Sequence, residues 1–235
     1  MRIRTLDAAM VLRYRCLLID HDDTAVDSTS AVHYPAHLEA LRELRPGRTP
    51  PTREQWLLRN FHGIMDYLEG DLGMTQAELV REMEIWRSWT GTHVPPFFPG
   101  FLDLLADYRS HGGLVAVISH SEAGVIERHY RAQVPPFAPD LIFGWEQEAG
   151  KRKPSPWPVQ EALRRFGCPA AEALVVDDLK PGVVMARAAG VDFAAAGWSH
   201  QVAEIEKYMK AHASAYCARI EDLRALVLTP KPARA

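Results

Sequence analysis

The sequence has little of what marks a disulfide-held, zinc-held or membrane-spanning protein. Its 235 residues contain only three cysteines, Cys16, Cys168 and Cys217. They form no CxxC pair, so neither a disulfide framework nor a thiolate zinc site is expected, and a reducing, cytoplasmic setting fits best. The 10 histidines are scattered without an HExxH pattern, which argues against a zinc hydrolase. No apolar run reaches the roughly 18 residues that a spanning helix needs. The apolar stretch from Ala8 to Ile19 is broken by Arg13 and Arg15 and ends in acids, not in a small-residue cleavage pattern. The net charge is −3, so there is no bulk electrostatic case for nucleic acid or an anionic membrane as a partner. Internal repeats and low-complexity segments are absent, and oligomeric state is not legible.

What is present is an ordinary globular balance, 47% hydrophobic and 24% charged. Short apolar runs at Cys16–Ile19, 113–118 and 173–176 read as strands buried on both faces. Weaker runs lie at Leu141–Phe143 and 191–195. Between them, Phe101–Ser110 carries apolar residues at helical spacing. A second helix is expected from a cap at Ser155 to Phe166, ending at Gly167. A third runs from Pro181 to Ala189, with Pro in its first turn and Gly190 after its end. Strands alternating with helices predict a Rossmann-like α/β fold, a parallel sheet with helices on both faces.

The alternation fails between about Ser30 and Pro95. That interval offers helix candidates at Pro35–Leu44, 53–69 and 76–89, and no convincing strand. The expected organisation is a core domain from residues 1–29 and 96–235, with a small helical domain, 30–95, inserted after the first strand. Hinges are expected near Asp27-Ser28 and Pro95–Phe98. The aromatic residues Trp56, Phe61, Tyr67, Trp86 and Trp89 read as packing of the insertion. His33, His37, Arg59 and His62 could reach a ligand, although ordinary helices carry such residues freely. Thr229–Ala235 reads as a frayed tail.

Acids and hydroxyls stand at the ends of three separate apolar runs. Asp20, Asp22 and Thr24 follow the first, Ser119 the second, and Asp177-Asp178 the third, while Lys153 lies in an intervening loop. In open α/β sheets, ligands bind beyond the carboxyl ends of the strands. The set suits phosphoryl transfer. A dianionic ester repels a carboxylate nucleophile, and a metal ion plus a lysine neutralise that repulsion and the charge of the transition state. Carboxylates are natural ligands for Mg²⁺. Ser119 and nearby backbone N–H groups can hold phosphate oxygens. An acid two positions from the nucleophile can serve as general acid and then base. Crowding by other anions is expected to raise its pKa.

These residues resemble the haloacid dehalogenase-like superfamily. Asp20-His21-Asp22-Asp23-Thr24 is similar to its DxDxT motif, and Ser119 to its strand-end hydroxyl. Lys153-Pro154-Ser155-Pro156 is similar to KPxP, and Asp177-Asp178 to its acidic pair. The inserted helices match the α-helical cap of the phosphoglycolate phosphatase and β-phosphoglucomutase subgroup. The resemblance covers roughly Cys16 to Leu228. It implies that Asp20 is nucleophile and metal ligand, and that Asp22 is general acid/base with its carbonyl on the metal. It further implies that Thr24 positions the nucleophile, Ser119 positions phosphate, Lys153 bridges nucleophile and phosphate, and Asp178 binds Mg²⁺, with Asp177 either a second ligand or an outer-shell acceptor. His120 stands where Asn is commoner and joins the phosphate-binding candidates. Asp23 replaces a usual Gly. The run after Asp178, Leu179-Lys180-Pro181-Gly182, lacks the further acid of the GDxxxD form.

The implied activity is hydrolysis of a small phosphorylated metabolite through a phospho-aspartyl intermediate. The rivals are a phosphomutase and a non-catalytic binding or regulatory protein on the same fold. A dehalogenase is disfavoured by the acid at Asp22. A phosphonate hydrolase is disfavoured because the interval from Ser30 to Pro95 contains no lysine.

Overall fold

The computed structural model describes residues 10–230. In chain order the strands are β1 (Met10–Leu12), β2 (Cys16–Ile19), β3 (Leu114–Ile118), β4 (Leu141–Phe143), β5 (Ala173–Asp177), β6 (Asp192–Ala196), β7 (Ala215–Cys217) and β8 (Leu228–Pro230). The helices are α1 (Tyr34–Leu44), α2 (Arg53–His62), α3 (Gln76–Thr92), α4 (Phe101–Ser110), α5 (Ala123–Arg131), α6 (Trp157–Phe166), α7 (Lys180–Ala189), α8 (Ala203–His212) and α9 (Ile220–Val227). Six strands form one parallel sheet in the order β4-β3-β2-β5-β6-β7, the expected Rossmann-like arrangement. The chain leaves β2 on one side for β3 and returns on the other for β5. That reversal opens a crevice at the carboxyl end of β2, which is where Asp20 stands.

Alternation along the central strands divides the core. Leu17, Ile19, Val115, Val117, Leu174 and Val176 face α4, α5 and α9. Cys16, Leu18, Ala116, Ile118, Ala173 and Val175 face α6, α7 and α8. Because the side-chain period of a strand is two and both faces are covered, the strands are continuously apolar. The central sheet is thereby fixed in register, and the carboxyl ends of β2 and β5 are fixed side by side, with the Asp20 N–H donating to the Val176 carbonyl at 2.9 Å.

α1, α2 and α3 lie between β2 and α4 in the chain, and α1, α2 and the segment between α2 and α3 bury a cluster of their own: Leu41, Trp56, Tyr67, Leu68, Leu72 and Met74. Two connections join these helices to the sheet, and they run alongside each other. Val26 pairs with Phe97, the Asp27 N–H donates to the Pro96 carbonyl (2.9 Å), and the Phe98 N–H donates to the Ala25 carbonyl (3.0 Å).

Several expectations are corrected. The single helix expected over 53–69 is two segments. α2 opens with a capping box at Thr52 and stops at Gly63, whose φ of 141° no helix accommodates, and a π-helical turn follows at Asp66–Asp71. The helix expected from Ser155 begins at Trp157, although the Ser155 hydroxyl accepts from the Trp157 N–H at 3.3 Å. Of the expected tail, Thr229 and Pro230 pair with Val11 and Met10 in a small antiparallel sheet, and 231–235 lie outside the described residues. Phe61 packs against Tyr208 of α8 rather than within the insertion (centroids 5.3 Å apart). α5, α8, α9, β1, β7 and β8 are not among the elements expected from the sequence: β1, β7 and β8 have three residues each, too few for an alternation to show, and the helices have only 8–10. Among the described residues no helix is long and apolar enough to cross a membrane.

His37 is buried and stacks on Trp56 with centroids 4.1 Å apart, and burial lowers its pKa to about 4. A histidine depressed on folding adds stability above its unfolded pKa, near 6.5, and that stability is lost as pH falls towards about 4. The stability of the wild type relative to His37→Phe should therefore fall by about 2–3 kcal/mol between pH 7.5 and pH 4.5 in urea titrations. An unchanged difference would mean that His37 ionises freely in the folded protein.

Candidate active site

The carboxyl edge of the sheet gathers the acids. Asp20 follows β2 directly, Asp177 ends β5, and Asp178 follows it. Asp20 is 6% exposed, Asp177 2% and Asp178 3%. Each can offer one oxygen to a common point, with these oxygens within 4.8 Å of one another. Lys153, from the turn before α6, enters the group: its Nζ donates to Asp20 Oδ1 at 2.6 Å and to Asp177 Oδ2 at 2.8 Å. The Thr24 hydroxyl lies 3.3 Å from both Asp20 Oδ2 and Asp178 Oδ1, so its one proton can serve either carboxylate.

Three carboxylates against one ammonium leave two negative charges unmatched in a buried place. Burial chiefly, with the charges of Asp177, Asp178 and Asp22, drives the Asp20 pKa well above the usual carboxylate range despite Lys153. Burial and the neighbouring Asp178 also raise Asp177, again against Lys153. A hard divalent cation of Mg²⁺ type fits this donor set, because oxygen ligands and a charge of two match both its chemistry and the local deficit.

Asp22 stands apart from that cluster. Its Oδ2 accepts from the Ser119 hydroxyl (3.0 Å) and the Ser121 hydroxyl (2.7 Å), and its Oδ1 faces His33 Nε2 at 2.9 Å. The expected raised pKa is not found. Burial acts upward, but His33, then His21 and the Ser121 hydroxyl, hold Asp22 well below the usual range. The correction has a simple cause: the side chain turns towards donors and away from the other acids. His33 itself is pinned, since the Trp86 N–H of α3 donates to His33 Nδ1 at 2.9 Å. The charge of Asp22 draws the His33 pKa up, outweighing burial. The Trp86 N–H, however, needs the Nδ1 lone pair, so this bond selects the neutral Nε2–H form, which donates to Asp22.

The remaining candidates also have places. Ser119 Oγ accepts from the Ser121 N–H at 3.0 Å. The exposed His120 ring donates from Nε2 to the Lys153 carbonyl at 3.0 Å, supporting the lysine-bearing turn. Asp23 adopts φ 56°, which explains why glycine is the usual residue there. Its carboxylate accepts from the Thr29 N–H at 2.8 Å and so closes the turn into the inserted helices. Asp177 Oδ1 accepts from the Leu179 N–H (2.9 Å), so this acid also caps the approach to α7. Sequence reasoning left out Ser121, Trp86 and Gly182 as site-shaping residues. Ser121 follows Ser119-His120 directly and Gly182 ends the run after Asp178, whereas Trp86 reads from the sequence only as packing of the insertion.

The comparisons agree with this geometry. The family profile of haloacid dehalogenase-like hydrolases matches residues 17–196. The chain belongs to that family. Curated proteins yield no match. Solved structures yield many. One is a Bacteroides fragilis protein carrying the haloacid dehalogenase-like hydrolase name, 21% identical, with 89% of this chain and 99% of that one covered and a TM-score of 0.76. Another is a haloacid dehalogenase-like family hydrolase from Streptococcus pneumoniae, 18% identical, with coverages of 91% and 98% and a TM-score of 0.71. CbbY from Rhodobacter sphaeroides in complex with phosphate is 22% identical, with coverages of 88% and 96% and a TM-score of 0.67. At such identities the likeness establishes the shared fold.

Gly182 explains the close approach of α7 to the acids: a Cβ there would lie 2.3–2.4 Å from Asp177 Cγ, Cβ and Oδ2. Gly182→Ala should therefore displace the Asp177 carboxylate from Lys153 and lower stability by about 1–3 kcal/mol, the usual range for overpacking. A crystal structure of the variant with Asp177 unmoved, together with unchanged urea stability, would show slack in this turn.

Proposed function

We propose that this hydrolase is a Mg²⁺-dependent phosphatase of a small phosphorylated metabolite, working through a phospho-aspartyl intermediate on Asp20. The observation that carries the reading is the setting of Asp20: a buried carboxylate at a switch-point crevice, held between the Lys153 ammonium and the Thr24 hydroxyl beside Asp178. Asp20 Oδ1 and Lys153 Nζ are already paired, so an entering phosphoryl group meets nucleophile and counter-charge together. Asp20, the Asp22 carbonyl, Asp178 and Asp177 would hold Mg²⁺, which when bound supplies charge neutralisation for the dianion and its transition state. Ser119 and His120 complete the phosphate-facing side.

Asp22 protonates the departing alcohol in the first half-reaction and takes a proton from water in the second. Its three donors hold it as a carboxylate, the form required for the second half. For the first half it must leave His33 and take up a proton. The helices over residues 30–95 act as a cap whose two adjacent, antiparallel linkers form the hinge, and His33 and Trp86 carry the cap's position to Asp22. The solved structures of this fold include CbbY with phosphate and CbbY with xylulose-(1,5)-bisphosphate, which supports a small phosphorylated ligand for this chain.

Free phosphate should be released from a panel of phosphate monoesters, and EDTA should stop the release. Asp20→Asn should reduce turnover by about 10³-fold or more while leaving the fold unchanged, as removal of an attacking group does. Full activity in that variant would remove Asp20 from the chemistry. Transfer of phosphate to a sugar without release would identify a phosphomutase, and no turnover on any ester would favour a binding protein. His33→Ala should lower kcat about tenfold with KM little changed, because a hydrogen bond to a charged group is lost away from the ester. An effect on KM alone would place His33 in substrate binding instead.

A further inference from the structure

The segment after β6 was not among the sequence candidates, yet consecutive side chains of it reach the acids. The Trp198 N–H donates to the Thr24 carbonyl at 3.0 Å, and the Ser199 hydroxyl to Asp178 Oδ2 at 3.4 Å. His200 follows. Its side chain is 8% exposed, and Nε2 lies 3.3 Å from the same Asp178 Oδ2. That contact is within ion-pair distance but outside hydrogen-bond geometry, and both ring nitrogens lack a hydrogen-bond partner. A buried imidazole with two unpaired nitrogens is rare in a folded protein and calls for an explanation.

Position supplies one. Asp178 divides its oxygens: Oδ1 faces Thr24, which also reaches Asp20, while Oδ2 faces Ser199 and His200. His200 does not belong to the group of oxygens that can share one ion, which comprises Asp20, Asp177 and Asp178. The ring therefore meets Asp178 at Oδ2 and not at the Oδ1 that Thr24 links to Asp20. Side chains so placed orient a ligating carboxylate through the oxygen it does not need for the ion, and their loss typically weakens metal binding about 10–100-fold.

We propose that His200 is a positioning residue of the cation site, donating from Nε2 to Asp178 Oδ2 and fixing the carboxylate for metal binding; this rests on the metal reading above. A small rotation of the ring completes that bond, and Ser199 acts on the same oxygen as a weaker partner. The role differs from packing: a merely structural histidine would influence folding and leave the ion's affinity alone.

The test is direct binding of Mn²⁺ to the full chain, followed by the electron paramagnetic resonance signal of the free ion, with Mg²⁺ as competitor. His200→Ala and His200→Asn, both too short to reach Asp178, should weaken Mn²⁺ about 10–100-fold. His200→Gln, whose amide N–H reaches further, should recover most of the loss. Circular dichroism melting without metal reports folding separately, and the Asn variant guards against an Ala variant that does not fold. Folded short variants that bind Mn²⁺ as tightly as the wild type would overturn the role of His200 and leave the phosphatase reading standing. A wild type that binds neither ion would overturn the metal reading and this inference together.

Discussion

Unmatched negative charge at the joined carboxyl ends of β2 and β5 is the constraint around which this protein is arranged. Asp20, Asp177 and Asp178 are nearly dry, and the one ammonium group among them, that of Lys153, pairs with Asp20 and Asp177. Burying such a group is costly unless it is paired. The fold tolerates it because the central strands are locked by apolar contacts on both faces. In the proposed reaction the local repulsion is thereby kept as affinity for a cation and for a phosphoryl group that brings its own need for positive charge.

The loop after β2 shows how closely neighbouring acids can be made to differ. Asp20, buried beside other carboxylates, is pushed up, whereas Asp22, facing the His33 imidazole and two hydroxyls, is pulled down. Asp23, between Asp22 and Thr24, accepts from the Thr29 N–H, while burial and the charge of Asp178 push its pKa up to about 6. The left-handed backbone at Asp23 is what lets the chain reverse so sharply, and it places these side chains in separate surroundings. Separated environments for adjacent acids are the usual physical basis for separate roles in acid–base chemistry.

The inserted helices take part in this arrangement instead of merely decorating it. His33 ends the π-helical turn Thr29–His33 that leads into α1, and Trp86 lies far along the chain in α3, yet one bond links them and another reaches Asp22. Other contacts fasten the same helices to the sheet domain: Phe61 against Tyr208, and Arg87 of α3 to Glu122 beside α5 at 2.9 Å. A displacement of α3 would thus be felt at Asp22 through rigid aromatic and imidazole rings. In the proposed reaction this makes the proton-transferring group responsive to how the cap sits.

The sequence by itself determined the parallel α/β class, the interruption after the first core strand, and the strand-end acids with Lys153. These were legible because doubly covered strands must be continuously apolar, and because reactive groups at their ends break that run abruptly. Only the tertiary structure decided that Asp22 is surrounded by donors, that Gly182 makes room for Asp177, and that His200 backs Asp178. It also decided that the helix expected over 53–69 ends at Gly63 and that Thr229 and Pro230 pair as a strand. Periodicity describes a residue's relation to its own element. The electrostatic surroundings of a side chain come from segments distant in sequence, and those meet only when the sheet order and the intervening turns are set.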